Sequence, residues 1–354
     1  MGREEEGMLS RRNLLLAGAI AAPVFGQLSR AIAQSPVPGP GPDGGGTDVF
    51  PGGYAVRAEA VPAGPKTFVD VKQGRLEGVA AGGVRHFRGV PYAESPVGAL
   101  RFKQPVMKQP WAGTRQATVN PPGPMQTTLL AEAATSEDCL YLNVWAPQTP
   151  GPHPVYVFIH GGAYTAGYSL EYRIKGASFV RDGIVLVTIG YRVGALGFLE
   201  LGGLLGPDYA GSGNNGIRDQ QMALRWIKEN IGAFGGDPSK ITVGGQSAGA
   251  GSVVALLSAP SSEGLFRGAV VQSGGSRART AETARAGADA FAKEVTAAGG
   301  DPRKLADLPV DVIMRAQAKS QGGWGPFIDG DFLPYAPLDA MRKGVNAKVH
   351  LMIG

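Results

Sequence analysis

Two short apolar runs, VYVFI at 155–159 and IVLVTIG at 184–190, carry no regular polar interruption. Such runs are expected of strands buried on both faces of a sheet. Upstream, TFVDVKQGRLEGVA (67–80) alternates apolar and polar positions about Gln73-Gly74, which predicts a hairpin. The period then changes. Ile217, Met222, Leu224, Ile227 and Ile231 recur at roughly helical spacing, so 217–234 predicts a helix, with Asn214 or Asn215 able to cap its start and Gly235-Gly236 to close it. ITVGG (241–245) predicts a strand, SAGAGSVVALLSA (247–259) a helix directly after it, and LFRGAVVQSG (265–274) brings a further strand. Strands alternating with helices predict an α/β fold with parallel central strands.

Composition narrows the class without naming a function. The 354-residue chain is 43% hydrophobic and 18% charged, the balance of a globular protein. Its net charge of +5 comes from scattered Lys and Arg with no basic run, so a mildly basic surface is expected rather than nucleic-acid binding. No H-E-x-x-H, paired CxxC or Walker-type loop occurs, so neither metal nor organic cofactor is expected. Cys139 is the single cysteine, which excludes an intrachain disulfide.

The N-terminus reads as a targeting segment. Arg11-Arg12 precede an apolar run from Leu14 to Phe25, and Ala31-Ile32-Ala33 forms an A-x-A-like cleavage site. The run is too short for a stable membrane span. Its S-R-R-N-L-L context resembles a bacterial twin-arginine signal, so residues 1–33 are expected to direct export to the periplasm or beyond. The Pro- and Gly-rich stretch 34–66 reads as a linker, and 67–354 as one domain.

Candidate chemistry lies in GGQSAGA (244–250), which contains G-x-S-x-G between a predicted strand and a predicted helix. That context places Ser247 on a sharp turn as a nucleophile, with Gly245 and Gly249 leaving room for it. The pattern alone decides little in a chain with 55 glycines; its position after a strand and before a helix decides more. A helix starting at the serine also presents backbone N–H groups to a developing oxyanion. HGGAY (160–164) follows the predicted strand VYVFI, where a glycine-rich loop can complete that hole.

Together with FRGVPYAESPVGALRF (87–102), SEDCLYLNVWAP (136–147) and GNNGIRDQQMALRWIKENIGAFGGDP (213–238), these segments resemble successive landmarks of the type-B carboxylesterase family, which includes the cholinesterases. The resemblance implies an α/β-hydrolase fold with helices on both faces of the sheet. It implies a small-molecule carboxylic ester as substrate, attacked by Ser247. The N–H groups of Gly162, Ala163 and Ala248 would hold the oxyanion, with Gly161 shaping the loop. His160 leads that loop, and its implied role is structural. The resemblance also implies ion pairs Arg88–Glu137 and Arg192–Asp219. Three departures stand out. Gln246 replaces the usual Glu before the serine; Met125 stands near the position of a cysteine commonly bridged to the equivalent of Cys139, so Cys139 is expected to be a buried free thiol; and the shortened 123–135 loop has no aromatic residue, which argues against a choline ester.

The order serine, acid, histidine runs out here. After Ser247 the remaining histidine is His350, within a strand pattern, and Asp329 and Asp331 match no triad position. The chain is therefore expected to be an incomplete α/β-hydrolase domain without its triad acid and histidine, a fragment or truncated product of a longer esterase. The alternative is a binding domain of the same fold that does not hydrolyse. Oligomeric state is left open.

Overall fold

Residue alternation decides which side of each central strand meets which helix. The computed structural model describes residues 60–127, 134–170, 174–320 and 323–354; the predicted signal segment and most of the 34–66 linker lie outside these residues. The main strands are β1 (Lys66–Val71), β2 (Gly74–Ala81), β3 (Val84–Pro91), β4 (Tyr141–Pro147), β5 (His153–Ile159), β6 (Val185–Ile189), β7 (Gly236–Gln246), β8 (Gly268–Gln272) and β9 (His350–Ile353). They form one sheet in the order β1-β2-β3-β4-β6-β5-β7-β8-β9, with a short strand at Thr114–Gln116 alongside β2. From β6 through β9 all pairs are parallel, as the chain pattern predicts. From β1 through β4 and on to β6 they are antiparallel, so the parallel character belongs to the half of the sheet that carries Ser247.

In β5, Val155, Val157 and Ile159 enter the main core, while Phe158, one step out of phase, enters a second cluster with Trp145, Leu186 and Val180. Val185, Val187 and Ile189 of β6 follow the first phase and Leu186 the second. Both faces are therefore buried, which is why these strands read as continuous apolar runs. The main core packs under α2 (Asn215–Asn230) and α3 (Ala248–Ser258), through Ile217, Leu224 and Ile227 of the first and Val253 and Leu256 of the second. The opposite face is covered by α1 (Gly176–Arg181), through Val180. A satellite cluster joins α4 (Ala281–Ala297) and α5 (Val310–Lys319) to the segment around Leu196 and Leu201. Among the described residues, no helix is long and apolar enough to cross a membrane.

Local expectations shift by small amounts, each for a tertiary reason. The helix predicted over 217–234 is α-helical only to Asn230 and tightens into a 3-10 turn at Ile231–Phe234, closed by Gly235 in the left-handed region at φ 80°. Neither asparagine caps it with a side chain. Asn214 instead exchanges hydrogen bonds with both backbone groups of Phe327 (2.9 Å each), and Asn215 donates to the Phe102 carbonyl at 2.8 Å. The β1–β2 turn falls on Lys72-Gln73, where Gln73 accepts from the Trp111 N–H at 2.7 Å.

Buried charge also repairs the sequence reading. Arg192 and Asp219 form the expected pair: two guanidinium contacts at 2.6 and 2.8 Å and a third bond from the Arg192 N–H at 3.1 Å, with both side chains buried. The expected Arg88–Glu137 pair is not made. Glu137 receives a two-pronged grip from Arg101, both contacts at 2.6 Å, while the Arg88 guanidinium lies 4.0 Å over the Trp145 ring. Arg101 also donates to the carbonyls of Ala306 and Leu308, so it ties Glu137 to the satellite cluster as Arg88, on the sheet, could not.

Asp219→Ala leaves a buried guanidinium uncompensated and is expected to cost about 3–5 kcal/mol. Urea unfolding followed by circular dichroism measures it. A loss under ~1 kcal/mol would show that Arg192 does not depend on this carboxylate.

Candidate active site

Ser247 sits between β7 and α3 with φ 56° and ψ −119°, a conformation that L-residues avoid. Its N–H donates to the Gln272 carbonyl of β8 at 3.0 Å, and its own carbonyl accepts from Gly251 at 3.0 Å, the first turn of α3. The neighbouring glycines make the turn possible. A Cβ on Gly245 would stand 2.4 Å from the Gly249 carbonyl carbon, and one on Gly249 would stand 2.1 Å from the Ile159 carbonyl oxygen. Both are far inside contact distance, so the strand can turn back over itself only with hydrogen at these positions. The serine stays partly exposed while Ala248 behind it is buried.

The loop after β5 lies directly against this turn. A Cβ on Gly161 would be 2.7 Å from the Gln246 carbonyl oxygen and 3.3 Å from the Ser247 Cβ. Gly162, Ala163 and Tyr164 then take φ values of 110°, 54° and 61° in succession. Three successive positive φ values make this a strained turn that L-residues avoid. The loop is tied back by its carbonyls: Gly162 accepts from the N–H of Thr165 (2.9 Å) and of Ala166 (3.0 Å), and Tyr164 accepts from Gly194 at 2.6 Å. The N–H groups of Gly162 and Ala163 donate to nothing in the described residues, and Ala248, first residue of α3, has no intrahelical acceptor. Three donors without acceptors among the described residues thus belong to two segments packed on the same serine.

His160 is buried at the root of the loop. Its ring stacks on Tyr191 with centroids 4.3 Å apart and 18° between planes, and the Tyr191 hydroxyl donates to the His160 carbonyl at 2.9 Å. Burial lowers its pKa to about 4, only partly opposed by a 2.9 Å contact between Nδ1 and the Gly161 carbonyl. It is a neutral ring at ordinary pH. Tyr191 has no signal in the sequence, because the contact arises only when β5 and β6 end side by side. Gln126 is likewise unmarked: it bridges the loop by accepting from the Gly167 N–H and donating to its carbonyl, both at 3.1 Å.

The remaining histidines are elsewhere. His153 and His350 open β5 and β9, at the ends of the sheet opposite the elbow, and His86 lies within β3. Since His350 pairs with Gly268 and Gln246 with Gln272, His350 is four residues away along the strands, roughly 13 Å. Asp329 is spent on Asn214, Arg218 and two backbone N–H groups, so it organises its own loop. Cys139 is a buried free thiol that shares a small cavity with Met125, and burial pushes its pKa well up. Gln246 is partly exposed beside the serine and brings no charge. Among the described residues, no group of three or more His, Cys, Asp or Glu is placed to hold a metal ion.

Comparison with known proteins matches this geometry to a family. The sequence model of the carboxylesterase family matches residues 65–354. The para-nitrobenzyl esterase of Bacillus subtilis (strain 168) is 37% identical over 303 residues, covering 81% of this chain and 61% of that protein. The fumonisin B1 esterase of Sphingopyxis macrogoltabida is 36% identical over 317 residues, covering 86% of this chain and 58% of that protein. Among solved structures, a carboxylesterase of Geobacillus stearothermophilus superposes with a TM-score of 0.76 at 43% identity, over 81% of this chain and 61% of the other. The chain thus spans about six tenths of the length of these relatives.

The depressed His160 pKa has a consequence for stability. The folded state keeps the ring neutral down to about 4, whereas the unfolded chain protonates it near 6.5. The contribution is therefore complete above pH 6.5 and lost as pH falls toward 4. Thermal midpoints should fall between pH 6.5 and 5, and His160→Asn should flatten that slope. An unchanged slope in the variant would place the acid sensitivity in other groups.

Proposed function

The chain belongs to the carboxylesterase family, with the α/β-hydrolase fold, and from that premise we propose that it acts on small carboxylic esters through an acyl-enzyme on Ser247. The observation that carries this reading is the strained serine turn set against three backbone N–H groups that have no acceptor among the described residues. Strain of this kind costs about 1–3 kcal/mol and persists where the surroundings over-determine it.

In the proposed reaction the Ser247 Oγ adds to the ester carbonyl carbon and passes its proton to a solvent water. The carbonyl π electrons move to oxygen, and the N–H groups of Gly162, Ala163 and Ala248 receive that charge. Collapse of the adduct expels the alcohol, which takes a proton back from solvent. A water then adds to the acyl carbon, and collapse of that second adduct releases the acid and returns a proton to the Ser247 Oγ. None of the four histidines is placed to be the base: His160 is committed to Gly161 and Tyr191, and the other three lie away from the elbow. Hydrogen-bond donors alone sustain part of the rate, since hydrolases stripped of their triad retain roughly 10³–10⁴-fold catalysis over water. The neutral Gln246 offers no charge to attract a cationic ester.

Two measurements test the proposal. Ser247→Ala should abolish covalent labelling by a fluorophosphonate probe; a fully labelled variant would remove Ser247 from its role. We further propose export by the twin-arginine route, supported by Arg11-Arg12 and the apolar run behind them. Replacing both arginines by lysine should leave the protein in the cytoplasmic fraction of a bacterial host. Unchanged export of that variant would sink the idea.

A further inference from the structure

We infer that His160 is a positioning residue for the oxyanion site: its Nδ1–H holds the Gly161 carbonyl and so aims the N–H of Gly162 at the serine. The inference rests on the esterase reading for its consequence, and on the following geometry for its substance.

The Gly161 carbonyl and the Gly162 N–H belong to one peptide unit. That unit is planar and trans, so the two groups point in opposite directions and cannot be turned separately. Fixing the oxygen fixes the hydrogen. The oxygen is fixed by His160, whose Nδ1 lies 2.9 Å away. A carbonyl only accepts, so Nδ1 must carry the ring's proton. With the proton on Nε2 instead, two lone pairs would face each other at Nδ1, and a buried N–H would be left unpaired as well. Nε2 is buried and has no hydrogen-bond partner among the described residues. A buried polar atom left unsatisfied is uncommon, and here it follows from committing the ring to a single bond on its other side.

The ring itself is denied freedom. Tyr191 stacks on one face and bonds the His160 carbonyl, so the same side chain grips the histidine by ring and by backbone. Close to its Nδ1 edge lies Gly167, where a Cβ would come within 2.1 Å of Nδ1. The imidazole therefore cannot rotate away from Gly161 without displacing a neighbour. Along the loop, the left-handed run beginning at Gly162 inherits the direction that this peptide sets. A merely space-filling aromatic ring would support the fold equally well and leave the peptide free to rock.

The test separates the δ position from the ε position. Asn carries its amide nitrogen where His carries Nδ1, whereas Gln extends one carbon further. With a fluorophosphonate probe, His160→Asn should label within ~3-fold of the unmodified protein. His160→Gln and His160→Phe should label roughly 10–100-fold more slowly, below the 10²–10³ of a deleted oxyanion donor. The loss should fall in the maximal rate and leave the half-saturating probe concentration unchanged, because the donor acts on charge that develops only in the transition state. Nitrogen NMR of the unmodified protein gives a second readout: the His160 pair should show a protonated Nδ1 and a bare Nε2, constant from pH 8 to 5. An Nε2–H tautomer overturns the inference, as does a Gln variant that labels at the full rate with an unchanged melting temperature. If the Gln and Phe variants do not fold, a folded Asn variant slowed more than ~100-fold overturns it too. Failure of the esterase reading looks different: Ser247→Ala would then label as fast as the unmodified protein, whatever the state of His160.

Discussion

One backbone contact governs the site: α3 passes so close to the end of β5 that Gly249 nearly touches the Ile159 carbonyl oxygen, with only 2.1 Å left for a Cβ. That proximity fixes the height of the serine above the sheet. It also brings the loop after β5 against the turn after β7, although the two strand ends, Ile159 and Gln246, are 87 residues apart in sequence. Every later feature of the site depends on this. Gly245 must be bare because Gly249 lies over it, and Gly161 must be bare because the turn at Gln246 lies over that. Replacing the hydrogen of any one of the three by a side chain pushes two chain segments apart, so the glycines act as one unit.

Strain accumulated at the crossing is held by bonds from outside it. Ser247 is anchored to β8 through Gln272, the loop to the segment at Gly194 through Tyr164, and the loop's far end to Gln126. The segment at Gly194 is in turn fastened by Arg192 to Asp219 of α2, a buried ion pair with a third bond from the backbone. Removing one partner of such a pair is costly, because the other charge stays in the core. The pair thus stands two residues from a loop anchor, which gives a structural charge leverage over the site without touching it.

How much of this was legible in sequence follows from the distance over which each choice is made. The strand ITVGG and the helix after GGQSAGA were readable because period and turn chemistry are local, and they put Ser247 at the correct junction. The oxyanion role of Gly162, Ala163 and Ala248 is an expectation from family resemblance, not from local pattern. Partner choice was not readable. The resemblance pairs Glu137 with Arg88, and only the fold shows that Arg101 reaches Glu137 and two carbonyls of the satellite cluster together. Asn214 looked like a cap because asparagines before helices usually are, yet its amide was drawn to Phe327, 113 residues away. Tyr191 was hidden for the same reason: its role exists only where two strand ends meet.

The electrostatics of the site are those of backbone dipoles. His160 is held neutral by burial, Cys139 stays protonated in its cavity, and Gln246 is an uncharged amide beside the nucleophile. A carboxylate at that position would act directly on the loop. At ~5 Å and an effective dielectric of about 20, one unit charge is felt at roughly 3 kcal/mol, which would oppose negative charge arriving on the ester oxygen. An amide of the same shape removes that opposition and keeps the packing against Gly161. The cost is the loss of any attraction for a cation at the entrance. Backbone N–H groups do not titrate, so a site built from them keeps its polarity over the whole range in which the fold survives. Its acid limit is then set by the groups that hold the loop, and not by the donors themselves.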